Sequence, residues 1–326
     1  MHHTAASGRG SVPVILGPTA VGKTAVGIAM ARRIGGEIIS ADSRAFFIGL
    51  DVVTDKPTTP ERAEVPHHLV DCVPIDREYD AMAFRRDVER LIPEIAQRGR
   101  VPIIVGGGTL YLGAILRGIF EGPSKDAAFR SAMEEQSVDE LYQRLASVDP
   151  MAAEAIHPND RLRITRALEV HRLTGRPISA WQTEAEPLSV SFLVVGLRRD
   201  RDDHRAAIAA RVRRMIEGGL VDEVARLREG GIGPECQAYR TIGVPEAMAR
   251  LEGRLSDREM EEHIVRRTWA LARRQMAWFR REEGVSWVDV TGRGIEEVVA
   301  EILGEWRRSE GVDHERDRGT MGREGG

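Results

Sequence analysis

A glycine-rich segment near the N-terminus has the residue types and spacing of a phosphate-binding loop. The stretch LGPTAVGKTAVG, which begins at Leu16, fits the pattern G-x-x-x-x-G-K-[ST]. In this pattern the glycines let backbone N–H groups turn inward, Lys23 reaches bridging oxygens, and the hydroxyl of Thr24 can ligate Mg²⁺. The loop residues are Gly17, Pro18, Thr19, Ala20, Val21, Gly22, Lys23 and Thr24. They predict a site for a diphosphate or triphosphate, but they do not identify the reaction.

A carboxylate after the next apolar run is a candidate general base. Asp42 follows EIIS, at the carboxyl end of the second predicted strand. In open α/β sheets ligands bind outside the carboxyl ends of the strands, so Asp42 could accept a proton from a nucleophile there. The alternative is that Asp42 caps the following turn. Lys56, in TDKPTT, is a further basic candidate or a solvated side chain.

A run of glycines ends the third predicted strand. The stretch VGGGTLY places Gly106, Gly107, Gly108 and Thr109 together. Glycines permit close approach of another backbone, although a tight turn would need them equally.

Arginines in the C-terminal third repeat with helical spacing. In RRTWALARRQMAWFRR they recur every seven residues, so they share one helix face, and the stretch contains no Asp or Glu. They are Arg266, Arg267, Arg273, Arg274, Arg280 and Arg281. Trp269, Met276 and Phe279 are predicted to pack toward the core. We interpret the face as a phosphate-contacting surface, with a solvated helix face as the alternative.

A second basic cluster lies in the middle of the chain. Its members are Arg161, Arg163, Arg166, Arg172 and Arg176. Together with the phosphate loop and Asp42, the two arginine surfaces suggest chemistry on a nucleic acid.

The order of elements predicts an α/β fold, a doubly wound parallel sheet of the P-loop NTPase type. The strand-like runs VPVIL, GEIISAD and RVPIIVGGG alternate with helical stretches, and SVSFLVVGL reads as a strand that returns to the same sheet. We predict a core over residues 12–122 and 191–307, with C-terminal helices, and a helical insertion over 123–190. Residues 1–11 and 308–326 are predicted to be disordered because they are small, polar or charged.

Composition narrows the class of protein further. The chain of 326 residues has 42% apolar and 30% charged residues and a net charge of -4, so any polyanion surface must be local. Two distant cysteines suggest neither a disulfide framework nor a zinc module, and no apolar run approaches a membrane span. We expect a cytoplasmic protein, free of membranes and monomeric.

Taken together, the motifs resemble those of the tRNA dimethylallyltransferases, which prenylate N6 of an adenine beside the anticodon. The resemblance covers about residues 12–307. Its markers are GPTAVGKT, SADSRAFFIGLDVVTDKPT, PHHLVD, VGGGTLYL, DPMAAEAIHPNDRLRITRALEVHRLTGRP, RVRRMIEGGLVDEV and ARRQMAWFR. The resemblance implies that the loop holds the diphosphate of dimethylallyl diphosphate and that tRNA, through its anticodon stem-loop, is the second substrate.

The resemblance also implies roles for individual residues. Asp42 would be the general base at N6, Lys23, Thr24 and Mg²⁺ would stabilise the leaving diphosphate, and Arg211 would lie near it. Thr109 would contact substrate. The expected tRNA contacts are Ser43, Arg44, Ala45, Leu162, Arg163, Ile164, Thr165, Arg166, Arg240, Thr241, Ile242, Gly243, Arg273, Arg274 and Arg280.

Some positions depart from the family pattern. The chain has Gly108-Thr109 where Thr-Gly is frequent, and Val244-Pro245 where Tyr-Lys or Tyr-Arg is usual, which could remove a backbone N–H. Ala45 stands where Gln is common, and Ala207 stands where Arg often precedes Arg211 by one turn. The residues alone leave three alternatives open: an ATP-dependent small-molecule kinase, an adenylate isopentenyltransferase, and a tRNA-binding protein without catalysis.

Overall fold

A parallel six-stranded sheet organises the first of two compact units. The computed structural model describes residues 10–310. The strands are β1 (Val12–Leu16), β2 (Gly36–Ser40), β3 (His67–His68), β4 (Val101–Gly106), β5 (Phe192–Arg198) and β6 (Ser286–Asp289). They lie in the order β3-β2-β4-β1-β5-β6, and every pair is parallel. The predicted α/β parallel fold is confirmed.

Helices connect and cover these strands. They are α1 (Lys23–Ile34), α2 (Thr59–Glu64), α3 (Ala81–Gln97), α4 (Thr109–Leu116), α5 (Ala127–Glu134), α6 (Val138–Val148), α7 (Pro150–Ala155), α8 (Arg161–Thr174), α9 (Ile178–Thr183), α10 (Arg201–Glu217), α11 (Leu220–Glu229), α12 (Val244–Leu251), α13 (Asp257–Phe279) and α14 (Ile295–Ser309). A short 3₁₀ turn covers Ala238–Arg240. Helices α1 and α14 pack together, and apolar side chains of both join those of the sheet in one buried core.

The centre of the sheet fixes where a ligand can bind. Strand β1 lies between β4 and β5, and its last residue, Leu16, is paired with Gly106 on one side and with Gly196 on the other. Because the strands are parallel, their carboxyl ends meet at one edge. The chain leaves β1 and returns in β2, beyond β4, so this edge contains a topological switch point, where open α/β sheets bind ligands.

The second unit, Gly113–Leu188, is helical and has its own core. Helices α5 to α9 lie in it, and their apolar side chains form a cluster that includes Leu141, Leu145 and Ile164. Four of these helices, α5 to α8, start after a polar residue whose side chain accepts a backbone N–H of the first turn. These N-cap residues are Asp126, Ser137, Asp149 and Asp160.

Several details differ from the sequence-based expectation. Residues 113–188 form the compact helical unit, where we predicted an insertion over 123–190. Strands β3 and β6 were not predicted. The predicted disordered ends fall mostly outside the described residues, but Ser11 and Glu310 are held together: the Ser11 N–H donates to the Glu310 carboxylate at 2.7 Å. Helix α14 also continues to Ser309.

Candidate active site

A cavity of about 570 Å³ opens at the carboxyl edge of the sheet in the first unit. The phosphate loop, which follows β1, and Asp42, which follows β2, both line it. So do Gly106 and Gly107 at the end of β4. Helix α10 adds Arg211. Residues far apart in the sequence therefore meet in one concave site.

The phosphate loop adopts backbone conformations that explain its glycines. Gly17 and Gly22 have φ values of 153° and 104°, where residues with a Cβ are rarely found. At Gly17 a Cβ would also lie 2.8 Å from the carbonyl oxygen of Leu197. Ala20 has φ 62° without being a glycine. The loop thus wraps tightly before helix α1 begins at Lys23.

Lys23 has an electrostatic environment suited to an anionic ligand. Its Nζ donates to the carbonyl oxygen of Pro18 at 2.8 Å. Burial lowers the pKa of Lys23 to about 8, the charge of Asp42 raises it in part, and Arg211 lowers it further. An anionic ligand would restore the charged form.

Thr19 in the loop is held by three side chains from distant elements. Its backbone N–H donates to the side-chain oxygen of Gln275 at 2.8 Å, and its carbonyl accepts from Nε2 of His204 at 2.8 Å. Its hydroxyl accepts from Nη1 of Arg211. Burial lowers the pKa of His204, and the hydrogen bond to Thr19 partly opposes this shift. The sequence analysis did not find Gln275 or His204.

Arg211 lines the cavity and contacts two of the segments that form it. Besides Thr19, it contacts the loop after β2: Nε donates to Asp55 at 2.9 Å, and Nη2 donates to the carbonyl of Thr54 at 2.7 Å. Asp55 and Thr54 also line the cavity. The guanidinium therefore joins the phosphate loop to the opposite wall.

Asp42 lines the cavity and also stabilises a turn. One carboxylate oxygen, Oδ1, accepts the backbone N–H of Arg44 at 2.9 Å, so the capping interpretation is correct as a structural fact. The same side chain lines the cavity, near enough to Lys23 for their charges to interact. The two roles are compatible because the capping bond occupies one of two carboxylate oxygens.

The residues after Asp42 have different environments. Ser43 and Arg44 are partly exposed, whereas Ala45 is buried and lines the cavity. Nη1 of Arg44 donates to the carbonyl of Gln237 at 3.0 Å. Burial lowers the pKa of Arg44, and the charge of Asp42 opposes this. The turn is therefore tied to the segment that precedes Arg240.

The glycines after β4 allow close backbone approach. A Cβ at Gly106 would lie 2.4 Å from the carbonyl oxygen of Ala41, and one at Gly108 would lie 2.7 Å from it. A Cβ at Gly107 would lie 2.8 Å from Nε2 of Gln275 and 3.4 Å from Nζ of Lys23. None of the three has a positive φ, so close approach is the reason for glycine. Thr109 starts helix α4, and the cavity lining in this segment comes from Gly106 and Gly107.

Lys56 is a buried residue, not the solvated side chain considered above. Only 3% of its side chain is exposed, and Nζ donates to the carbonyl of Phe47 at 2.7 Å and to Asp51 and Asp71 at 2.8 and 2.5 Å. These bonds fix the loop that carries Thr54 and Asp55.

Four of the five arginines of the middle cluster form ion pairs in the second unit, so this surface carries less free positive charge than the sequence suggests. Arg166 and Arg130 both pair with the buried Glu169, at 2.6 and 2.7 Å. Arg172 pairs with Asp126, Arg176 with Glu184 and Arg163 with Asp160, while Arg161 donates to the carbonyl of Met133. The acids come from other turns and helices, which composition alone does not reveal.

Helix α8 offers only part of the predicted RNA-contacting segment to solvent. Leu162 is 70% exposed and Arg163 is exposed, but Ile164 and Thr165 are buried. Contact with RNA from this turn would have to use its exposed side chains, because Ile164 and Thr165 pack in the core of the unit.

The segment before α12 is similarly divided. Arg240 is exposed and Ile242 partly so, whereas Thr241 and Gly243 are buried. Gly243 has φ 107°, and a Cβ there would lie 2.5 Å from Val53. Pro245 lies in the first turn of α12, where backbone N–H groups have no partner within the helix. Proline lacks the backbone N–H, as expected, but at this position no hydrogen bond within the helix is lost.

The arginine face of α13 is present, with one correction. All of its members are exposed, whereas the buried residues of the helix are Met260, Ile264, Thr268, Ala272, Gln275 and Phe279. Arg267 pairs with the buried Glu246 of α12, while no ion pair within residues 10–310 involves the other arginines of the face. Phe279 is buried as predicted, but Trp269 and Met276 are only half-buried at the flank. Helix α13 ends at Phe279, so Arg280 and Arg281 follow its last turn.

The donor groups limit how a metal could bind. Within residues 10–310 no cluster of three or more His, Cys, Asp or Glu side chains could hold one. The exposed Thr24 hydroxyl lines the cavity beside Lys23. A hydroxyl at this position fits Mg²⁺ that is bound mainly through ligand phosphate oxygens and water.

The parallel sheet, the glycine-rich loop and the convergent basic groups define an α/β protein of the P-loop type with a site for a phosphorylated ligand. The model of the IPP transferase family matches residues 45–282. The chain belongs to this family. The matched range starts after the phosphate loop and Asp42.

Similar proteins extend the match over most of the chain. A tRNA dimethylallyltransferase of Pelotomaculum thermopropionicum is 39% identical over 304 residues, which covers 92% of this chain and 96% of that protein. A tRNA dimethylallyltransferase of Thermotoga petrophila is 42% identical over 294 residues, which covers 89% of this chain and 96% of that protein. The family resemblance seen in the sequence is thereby confirmed.

Solved structures agree in fold. The full-length tRNA isopentenylpyrophosphate transferase from Bacillus halodurans has 34% identity and a TM-score of 0.69, covering 94% of this chain and all of that one. A eukaryotic dimethylallyltransferase, described as acting on tRNA, has 26% identity and a TM-score of 0.75. The match covers 93% of this chain and 77% of that one.

No helix within the described residues is long and apolar enough to cross a membrane.

Proposed function

We propose that this protein transfers the dimethylallyl group of dimethylallyl diphosphate to N6 of an adenine next to the anticodon of tRNA. Family membership supports the reaction class. The observation that carries the proposal for the site is that Asp42, Lys23 and Arg211 line one cavity. This transfer requires a proton acceptor on one side of the reaction centre and a diphosphate-binding group on the other.

The diphosphate would lie on the loop before α1. Backbone N–H groups of the loop and the helix N-terminus favour an anion, and Lys23 and Arg211 add positive charge. Negative charge grows on the diphosphate as the C1–O bond breaks, so these groups stabilise the transition state more than the ground state. Thr24 would hold Mg²⁺, which when bound supplies further charge compensation for the leaving group.

The nucleophile is the exocyclic amine of adenine. Its lone pair is conjugated with the purine ring, which makes it a poor nucleophile. As N6 forms a bond to C1 of the dimethylallyl group, the electron pair of the C1–O bond leaves with diphosphate. The N6 proton passes to the carboxylate of Asp42, whose second oxygen is not used by the turn.

RNA binding would present the base to this cavity. An adenine in a stacked loop must leave the stack to reach a buried prenyl group, so the protein must bind the surrounding RNA. Ser43 and Arg44 directly follow Asp42, and the charge of Arg44 interacts with those of Asp42 and Arg240. The unpaired arginines of α13 supply phosphate contacts.

The cellular compartment and the oligomeric state can be proposed from the substrate and the site. A tRNA-modifying enzyme with two free cysteines, Cys72 and Cys236, fits the cytoplasm, and a monomer would suffice because the cavity is lined by one chain.

The test is incubation of the purified protein with unmodified tRNA, dimethylallyl diphosphate and Mg²⁺, followed by nucleoside mass spectrometry. The expected product is N6-(dimethylallyl)adenosine. Prenylation of free adenylate instead of tRNA, or ATP turnover without prenyl transfer, would contradict the proposal.

A further inference from the structure

The guanidinium of Arg211 forms an ion pair with Asp55, a residue that also lines the cavity. Nε of Arg211 donates to Oδ2 of Asp55 at 2.9 Å, and Nη2 donates to the adjacent carbonyl of Thr54 at 2.7 Å. Both contacts lie on one edge of the planar group. The Nη1 end meets the hydroxyl of Thr19 in the phosphate loop.

Asp55 reaches this position through an uncommon backbone conformation. Its φ is 54°, in the left-handed region that few residues other than glycine adopt, although Asn and Asp tolerate it best. Such a conformation persists only where the surrounding structure holds it, and it tends to occur at functional sites.

The surrounding loop is fixed by a buried carboxylate. Glu223 of α11 accepts the backbone N–H groups of Asp51, Val52 and Val53 at 2.9, 2.8 and 2.9 Å. The N–H of Asp55 then donates to the carbonyl of Val52 at 3.0 Å. The segment that carries Asp55 is therefore held by hydrogen bonds within the protein.

A carboxylate in an anion-binding cavity needs an explanation. By itself it would repel a diphosphate, but its charge is offset by the guanidinium that it contacts. An arginine has five N–H donors, and the bonds of Arg211 to Thr19, Thr54 and Asp55 use three of them. Two donors remain for the oxygens of a ligand.

We propose that Asp55 is a positioning residue that fixes the orientation of Arg211 toward the leaving diphosphate. It acts as a hydrogen-bond acceptor for Nε and so keeps the side chain in one rotamer. The free N–H donors are then aligned before the C1–O bond breaks, which removes an ordering step from the reaction. This inference rests on the proposed function, in which Arg211 contacts the leaving group.

The test compares two substitutions that both accept a positive φ. Asp55→Asn keeps an acceptor oxygen, and Asp55→Gly removes it while relieving the backbone. Glu262→Ala is the matched control, because Glu262 forms an arginine pair of similar length, 2.8 Å, with Arg258 of α13. Single-turnover prenylation of tRNA and the Kd for Mg²⁺-pyrophosphate are measured for each, with thermal unfolding as a check of the fold.

We expect Asp55→Gly to lower the single-turnover rate by about 10-fold to 30-fold, with a smaller change in Kd, because charge on the diphosphate is largest in the transition state. Asp55→Asn should stay within about threefold of wild type, and Glu262→Ala should not differ. In an Arg211→Ala background, Asp55→Gly should have no further effect, since both act through one group.

Equal rates for wild type and Asp55→Gly would overturn the inference, as would an additive loss in the Arg211→Ala background. An Asn variant as slow as the Gly variant would also overturn it, because the acceptor would then not be what matters. A wild-type protein that forms no prenylated nucleoside would instead refute the proposed function, while pyrophosphate binding still reports on Arg211.

Discussion

The side-chain amide of Gln275 joins the phosphate loop to the loop after β4. Its oxygen accepts the backbone N–H of Thr19 at 2.8 Å, and its nitrogen donates to the carbonyl of Gly107 at 2.7 Å. Gln275 lies on the buried face of α13. One helix therefore stabilises the diphosphate site on one face and presents basic residues on the other.

Substitution of Gln275 should loosen the phosphate loop. Gln275→Met keeps the size but leaves a backbone N–H and a carbonyl without partners, at a cost of about 1–3 kcal/mol each. We expect a lower melting temperature and about tenfold weaker binding of dimethylallyl diphosphate by calorimetry, on the order of 1.4 kcal/mol. Gln136→Met, at a partly exposed glutamine, is the control. Unchanged ligand affinity in the Gln275 variant would mean that the loop holds its shape without this bond.

Diphosphate binding should weaken above about pH 8. The pKa of Lys23 is lowered to about 8, so the free protein loses this charge as the pH rises through that value. The ligand favours the protonated lysine, and its Kd should therefore increase by up to about tenfold per pH unit until the pKa of the complex is reached. Calorimetric titrations from pH 7 to 9.5 measure this. Lys23→Arg should remove the pH dependence, since arginine stays charged, and a flat wild-type profile would contradict the assignment.

The arginines of α13 should bind RNA and not the diphosphate. Replacement of Arg273 and Arg274 by alanine should weaken tRNA binding and reduce the slope of log K against log salt by about one for each phosphate that the protein no longer neutralises. Arg254→Ala is the control, because Arg254 pairs with Glu252. A salt slope that stays the same, with weaker binding of dimethylallyl diphosphate, would place these residues in the small-molecule site.

Glu169 should be a main source of acid sensitivity in the helical unit. Hydrogen bonds from Arg130 and Arg166 outweigh the desolvation of this buried carboxylate and lower its pKa to about 2, against 4.5 unperturbed. Since the folded pKa is the lower one, the stabilisation is complete above about pH 4.5 and is lost as the pH falls toward 2. Glu169→Gln should reduce the free energy of unfolding by about 3 kcal/mol at pH 7 and by less near pH 3. Urea unfolding at both pH values, with exposed Glu154→Gln as control, measures the difference; an equal loss at both would show that charge is not the cause.

Local patterns predicted the sheet and the loop well. The strands β1, β4 and β5 are predominantly apolar runs, as buried parallel strands should be, and β2 contains the apolar pair Ile38 and Ile39. Helix α1 starts at Lys23, as the motif requires. Strand β3 has only two residues, and β6 is a short run after α13, so neither gave a periodic signal.

Contacts between distant residues could not be predicted. Gln275 lies 256 positions from Thr19 and His204 lies 185 positions from it, and no spacing rule joins them. The same limit explains why the ion pairs of the arginines could not be predicted. The stretch from Arg266 to Arg281 contains no acid, but Glu246 of a neighbouring helix pairs with Arg267. Acids from other helices and turns likewise pair with several arginines of the second unit. The charged residues within one helix do not predict which charged residues of other elements pack against that helix.

The account depends most directly on Asp42 as the acceptor of the N6 proton. Asparagine keeps the shape and can still accept the N–H of Arg44, so the turn should survive in Asp42→Asn while the proton acceptor is removed. The decisive measurement is single-turnover prenylation with saturating tRNA and dimethylallyl diphosphate, which excludes product release. We predict that wild type forms N6-(dimethylallyl)adenosine and that Asp42→Asn is slower by about 10² to 10⁴ with little change in tRNA affinity. An Asp42→Asn rate within about threefold of wild type would show that Asp42 only stabilises the turn and would contradict the mechanism.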